Sequence, residues 1–176
     1  VVEQRGETGE PEVEWRCVGV VLAGGRDVLD DGDRVGQHVL VAVDGILFHR
    51  AGDGDYAGLM DLLRSNWPSW IPEVGVALEN RPASLYVAVR GNDVLAFAAF
   101  DANNRGTGWF GPMGTAPAAR RRGIGHVLLF RSLADMAAQG HRYATIPWVD
   151  PVDFYRQCAG AAVSRIFHRY EKVLTS

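Results

Sequence analysis

The stretch TGWFGPMGTAPAARRRGIGHVLLF, residues 107–130, most constrains the fold. It opens as a strand, yet Gly111, Pro112 and Gly114 interrupt it. Proline cannot donate to a ladder hydrogen bond, so such a strand has to bulge or part from a neighbour. Three arginines, Arg120 to Arg122, then run into Gly123-Ile124-Gly125. Ile124, Val127, Leu128, Phe130, Leu133, Met136 and Ala137 fall on one broad helical face, which predicts a helix from about Gly123 to Gln139. Gly140 suits its C-terminal end. YATIPWV, residues 143–149, reads as an apolar strand. A helix joining two strands predicts that they run parallel through a right-handed crossover.

The flanking sequence extends this pattern. GILFHRA, residues 45–51, is strand-like, and Asp53 or Asp55 can cap the following helix. Tyr56, Leu59, Met60, Leu63 and Trp67 make one helical stripe, which Pro68 stops. A short helix is expected around Glu73 to Asn80. SLYVAV, VLAFAAF and TGWFGPMGT are joined by the turns RGND and DANNRG, so they are expected to be antiparallel neighbours. Asp150 as N-cap and Pro151 at the first helical position open a helix that Gly160 ends. AAVSRIFHRYEKVL closes the chain as one bent strand or a tight pair. Upstream, residues 14–44 are β-rich, with WRCVGVVLAG and HVLVAVDG around the turn-rich GRDVLDDGDRVGQ. Asp30, Asp31 and Asp33 there lack the glutamate that closes an EF-hand loop, so they read as a solvated turn. Residues 1–13 are polar and read as a linker or frayed terminus.

Composition removes several function classes. The chain has 176 residues, 47% of them apolar, enough for a packed core. Its net charge of -3 argues against general nucleic-acid binding, so the arginine triplet is a local feature. No apolar run approaches the ~20 residues of a membrane span, and no signal-peptide pattern opens the chain. Cys17 and Cys158 form no disulfide framework and read as buried thiols of a cytoplasmic protein. The five histidines are scattered, so no metal is expected. The chain begins Val1-Val2 without Met, which fits either a missing start or a piece of a longer protein.

The arginine-glycine junction carries the chemistry. The first turn of a helix leaves backbone N–H groups unpaired, and the helix dipole adds partial positive charge. Glycines let a ligand approach that backbone, so the junction suits an anion such as phosphate. It is not a Walker A loop, since no Gly-Lys-Ser/Thr follows, and not a dinucleotide fingerprint, since Gly-x-Gly-x-x-Gly is incomplete.

Arg120, Gly123 and Gly125, in the order R-x-x-G-x-G with Pro117 just upstream, resemble the acetyl-CoA motif of the GNAT superfamily of N-acetyltransferases. FYRQCAGA, residues 154–161, resembles that family's second signature. The resemblance spans roughly residues 46–174. It implies an α+β fold: a mixed, mostly antiparallel twisted sheet, helices on both faces and a splayed central strand pair, with an N-terminal β-rich extension. Residues 45–176 would form the acetyltransferase domain. Residues 14–44 would be an appendage or the tail of a preceding domain.

The resemblance also implies a mechanism. Arg120, Arg121, Arg122, Gly123, Ile124, Gly125 and His126 would hold the pyrophosphate of acetyl-CoA, the co-substrate. Met113, Gly114 and Thr115 would offer backbone groups to the pantetheine arm and the acetyl carbonyl. A primary amine of a small molecule would attack the thioester directly, with Tyr155 as general acid toward the departing thiolate. Glu73, Asp101 and Asp150 are the candidates for a general base. Trp67, Trp70 and Trp148 either line the acceptor cleft or close the core. Cys158 lacks an activating histidine and reads as packing. Two departures stand out: Arg121 and Arg122 replace the Gly and Lys common in the family, and the β-rich segment precedes the first family strand. A second reading is a pseudo-acetyltransferase domain of a larger protein that binds acetyl-CoA or a partner without turnover. A homodimer or a covalently linked neighbouring domain fits either reading.

Overall fold

The structure is a computed structural model that describes residues 4–5, 11–21, 41–43, 45–149 and 151–169, with side chains described over 45–149 and 151–168. In chain order its strands and helices are β1 (Gln4–Arg5), β2 (Pro11–Val21), β3 (Val41–Val43), β4 (Ile46–Arg50), α1 (Tyr56–Asn66), α2 (Ile71–Glu79), β5 (Leu85–Arg90), β6 (Asp93–Phe100), β7 (Phe110–Thr115), α3 (Ile124–Ala138), β8 (Tyr143–Ile146), α4 (Val152–Ala159) and β9 (Ala162–Arg169). They divide into two compact units, one being Leu22–Ala144 and the other Val1–Val21 with Thr145–Ser176. Among the described residues, no helix is long and apolar enough to cross a membrane. No cluster of three or more His, Cys, Asp or Glu there could hold a metal ion.

The larger unit is built on a sheet of order β3-β4-β5-β6-β7, antiparallel at every pairing. Strand alternation assigns each face its helices. Leu85, Val87 and Val89 of β5 and Phe97 and Ala99 of β6 share a buried cluster with Leu59, Leu63, Val74 and Ala77 of α1 and α2. The intervening Ala88, Ala96 and Ala98 are fully buried, as are Leu128, Leu129 and Met136 of α3. α3 packs on β5, β6 and β7. Small side chains on that face let the helix approach the sheet closely. The expected stripe of α1 holds at Leu59, Met60 and Leu63, but Tyr56 is exposed, because it opens the helix outside the core cluster.

One polar cluster ties α3 to this sheet. The Arg50 guanidinium lies 2.8 Å from the Asp135 carboxylate and donates to the Tyr86 hydroxyl at 2.9 Å. Tyr86 in turn donates to Asp135 at 3.2 Å. Burial, and then the Asp135 charge, push the Tyr86 phenol up to about 12. A raised phenol means that this contribution to stability is complete below the ordinary value near 10 and is lost as pH climbs through 12. Asp135→Ala leaves the half-buried Arg50 without its anion, and should cost about 2–3 kcal/mol in chemical denaturation. A loss under ~0.5 kcal/mol would mark the pair as solvated and inert.

In the smaller unit β2 pairs antiparallel with β9, from Val13↔Arg169 to Gly19↔Ala162, with a register shift between Cys17 and Val18. β1 and β8 also pair with β2, and α4 packs on β2. β2 begins at Pro11 and pairs there with β1. Proline is tolerated there because it opens the strand. The chain closes in a single strand as far as Arg169. α4 begins at Val152 and Pro151 takes the cap position, with φ −92° and extended backbone. The expected cap at Asp150 and the acidic turn GRDVLDDGDRVGQ lie outside the described residues.

Candidate functional site

β7 is the last strand of its sheet. Its register against β6 shifts between Ala98 and Phe100, which is the bulge that Gly111 and Pro112 predict. Beyond the shift, Ala116 donates its N–H to the Leu95 carbonyl at 2.8 Å. Bonded and non-bonded pairs alternate along an antiparallel ladder. Gly114, opposite Phe97, therefore turns its backbone groups toward β6, whereas Met113 and Thr115 turn theirs to the open edge. The Thr115 carbonyl accepts a bond from Arg120 Nε at 3.2 Å. Met113 N–H and C=O and Thr115 N–H thus face outward beside that bond.

The entry to β7 is pinned. A Cβ on Gly108, whose φ is +77°, would lie 2.6 Å from the Tyr143 carbonyl oxygen, so only glycine allows this approach. β8 pairs with β2, and β7 takes its ladder bonds from β6.

At the far end of β7 the chain turns into α3. Arg121 and Gly123 both adopt left-handed backbone, with φ +60° and +74°. Gly123 is the N-cap, and no side chain caps the helix. The first intrahelical bond runs from Val127 N–H to the Gly123 carbonyl at 3.2 Å. The amides of Ile124, Gly125 and His126 thus have no partner within the helix. Arg120, Arg121 and Arg122 are exposed, and a Cβ on Gly123 would meet nothing within 4 Å. His126 stands on the first turn with its ring 4.8 Å from that of Phe130. Unpaired amides, a helix dipole and three arginines around open space fit a diphosphate. The sequence-predicted cradle residues and Met113 to Thr115 belong to one strand-turn-helix.

Trp67 and Trp70 flank the turn between α1 and α2. Their rings stack at 5.3 Å, and both meet Phe97 edge-on. Both pack half-buried against the core cluster. Trp148 is 58% exposed, has φ +53° and stacks on Phe167 at 6.0 Å. Among the candidate bases, Asp101 follows β6 at the entry to β7. Its carboxylate accepts from Gly106 N–H at 3.1 Å and lies 3.8 Å from His141 Nε2, so it is committed to its loop. Glu73 sits half-buried in the first turn of α2.

In the smaller unit, Tyr155 is buried on α4 against Phe154, with ring centroids 5.0 Å apart. α4 ends on left-handed Gly160, and Ala161 N–H donates to the Tyr155 carbonyl at 3.3 Å. Burial, and secondarily Cys158, push the phenol well above its ordinary value. It keeps its proton throughout the physiological range. Cys158 is a half-buried free thiol.

Around β7 and the start of α3, sequence reasoning missed the Gly108 pin, the return of Arg120 to Thr115, and the parity that turns Met113 outward. Only the glycine at 108 left a trace in the sequence, and a lone glycine before a strand does not name its neighbour.

Comparison with known proteins agrees with this architecture. The family model described as Acetyltransferase (GNAT) family matches residues 56–160, more than half of the 176. No curated protein matches the chain. Among solved structures, a GCN5-related glucosamine N-acetyltransferase region of a fungal multi-domain GH3 β-N-acetylglucosaminidase superposes with TM-score 0.65 at 16% identity, covering 89% of this chain and 20% of that one. A GCN5-related N-acetyltransferase from Sphaerobacter thermophilus gives 0.61 at 16% identity, covering 89% of this chain and 51% of that one. One from Kribbella flavida gives 0.51 at 10% identity, covering 90% and 58%. The chain thus spans between a fifth and three fifths of these three chains. With its antiparallel sheet, helices on both faces of it and the matched motif region, the chain belongs to the GNAT acetyltransferase family.

Proposed function

We propose that this protein transfers an acetyl group from acetyl-CoA to a primary amine of a small molecule. The observation that carries the reading is the uncapped start of α3, with left-handed Gly123, placed directly after an open strand edge. The amides of Gly123 to His126 and the guanidinium groups of Arg120 to Arg122 bind the pyrophosphate. Met113 and Thr115 hold the pantetheine arm along the edge of β7. The co-substrate supplies an activated acyl thioester.

The residues then divide the work. The outward amide of Met113 donates to the acetyl carbonyl oxygen as negative charge develops there. The acceptor nitrogen attacks the carbonyl carbon, a C–N bond forms and the C–S bond breaks. Tyr155 gives its phenolic proton to the departing sulfur, and the proton lost by the amine leaves to a carboxylate or water. Trp67, Trp70 and Trp148 are the aromatic surfaces offered to an acceptor. The free thiol of Cys158 suits a reducing compartment such as the cytoplasm.

Thermal unfolding with and without acetyl-CoA, alongside free coenzyme A, tests the cradle. Ligand at about 100 times its Kd should add ~2.7 kcal/mol to stability. No shift at millimolar ligand would overturn the reading. Binding without release of free thiol, across a panel of amines, would favour a pseudo-enzyme that keeps the cradle and has lost transfer.

A further inference from the structure

We propose that the Trp67 indole is the wall that selects the acyl chain of the donor and confines it to acetyl. The proposal rests on reading the open edge of β7 as the donor-binding edge. A Cβ on Gly114 would lie 2.6 Å from Trp67 Cζ3, 2.7 Å from Cη2 and 3.0 Å from Phe97 Cε1. The six-membered ring of Trp67 therefore occupies the side-chain space of residue 114. Glycine stands there because the indole takes the place of its side chain. The next residue back is Met113, whose amide faces the open edge. An acyl carbonyl held by that amide would lie one residue from the position whose side-chain space the indole fills.

The ring is fixed where it stands. It stacks on Trp70 at 5.3 Å with planes 18° apart, and Phe97 abuts it edge-on at 5.9 Å. Phe97 and Leu63, the last buried residue of α1 before it, are fully buried. The cluster that Trp67 packs against thus bounds the indole on its core side. It is itself only partly buried, so some of its surface faces outward. A methyl group fits beside a glycine backbone; each further methylene has to displace a ring held on two sides. Replacing the indole with a smaller side chain opens space continuous with the strand edge.

Calorimetric titration of the full chain with free coenzyme A, acetyl-CoA, propionyl-CoA and butyryl-CoA tests this. In the wild type, affinity should fall about 10-fold with each methylene beyond acetyl. In Trp67→Leu, butyryl-CoA should bind within about 2-fold of acetyl-CoA, with affinity for free coenzyme A unchanged. Trp67→Phe, which keeps an aromatic ring against Trp70, should give an intermediate profile and serves if the leucine variant does not fold. A wild-type profile that is flat across the esters overturns the proposal while leaving the donor site intact. So does a Trp67→Leu or Trp67→Phe profile identical to that of the wild type. Failure of free coenzyme A and of every ester to bind the wild type overturns the donor site and the wall together.

Discussion

Gly123→Glu should abolish acetyl-CoA binding, raising Kd at least 100-fold. The expectation combines two effects of the same position. Gly123 has φ +74°, a conformation that costs a residue with a Cβ roughly 1–2 kcal/mol. Its Cβ position opens into space free of protein atoms within 4 Å, where the diphosphate is proposed to sit. A carboxylate placed there repels the ligand and competes for the unpaired amides of Ile124 to His126. Gly123→Ala separates the two effects. It carries the backbone strain without the charge, so it should lose about 10-fold in affinity and about 1 kcal/mol in stability. Calorimetric titration of both variants reads the difference. Equal, unchanged affinities would mean that the anion binds elsewhere, and would remove the start of α3 from the site. Gly125→Glu should behave as Gly123→Glu does, because it places the charge two residues further along the same turn.

The left-handed, uncapped start of α3, proposed as the cradle, was legible in the sequence because its signals are local. Glycine at a left-handed position, arginines before it and a helical period after it all fall within residues 120–137. The bulge of β7 was legible too, since Pro112 has no N–H to offer a ladder. What escaped is set by pairing partners far away in sequence. The outward turn of Met113 follows from the bond between Ala116 and Leu95, and a one-residue slip would have turned it inward. The seat of Trp67 on Gly114 joins residues 47 positions apart, and nothing in either segment announces the other. The crossover rule gave β8 a direction but no ladder partner; β8 pairs with β2, which lies more than 120 residues earlier. The helix of residues 152–159 was expected to start one residue sooner. Asp150-Pro151 fits the cap preferences, yet Pro151 with extended backbone takes the cap itself. Such boundaries rest on dihedral angles that a residue type biases without fixing.

Tyr155→Phe should lower kcat by roughly 100-fold or more while leaving the Kd for acetyl-CoA within about 2-fold. The substitution removes one oxygen from a buried ring and keeps its edge-on contact with Phe154. Thermal unfolding of the variant beside the kinetics separates a loss of fold from a loss of chemistry. The position of the phenol's pKa sets the pH signature. Burial and Cys158 raise it above its ordinary value, so the phenol keeps its proton across the physiological range. Wild-type turnover should consequently show no high-pH limb from Tyr155. Any rise of rate with pH belongs to the acceptor amine or to the base. In the variant that rise should persist, with the whole profile displaced downward, because the leaving thiolate must then take its proton from water. Thiol release measured across pH for both proteins distinguishes the cases. Equal turnover would remove Tyr155 from the reaction and leave it a core residue of α4. A downward shift confined to high pH would show that the phenol titrates in the working range, contrary to the burial of its ring. A loss in kcat matched by a loss in acetyl-CoA affinity would assign Tyr155 to donor binding instead of proton transfer.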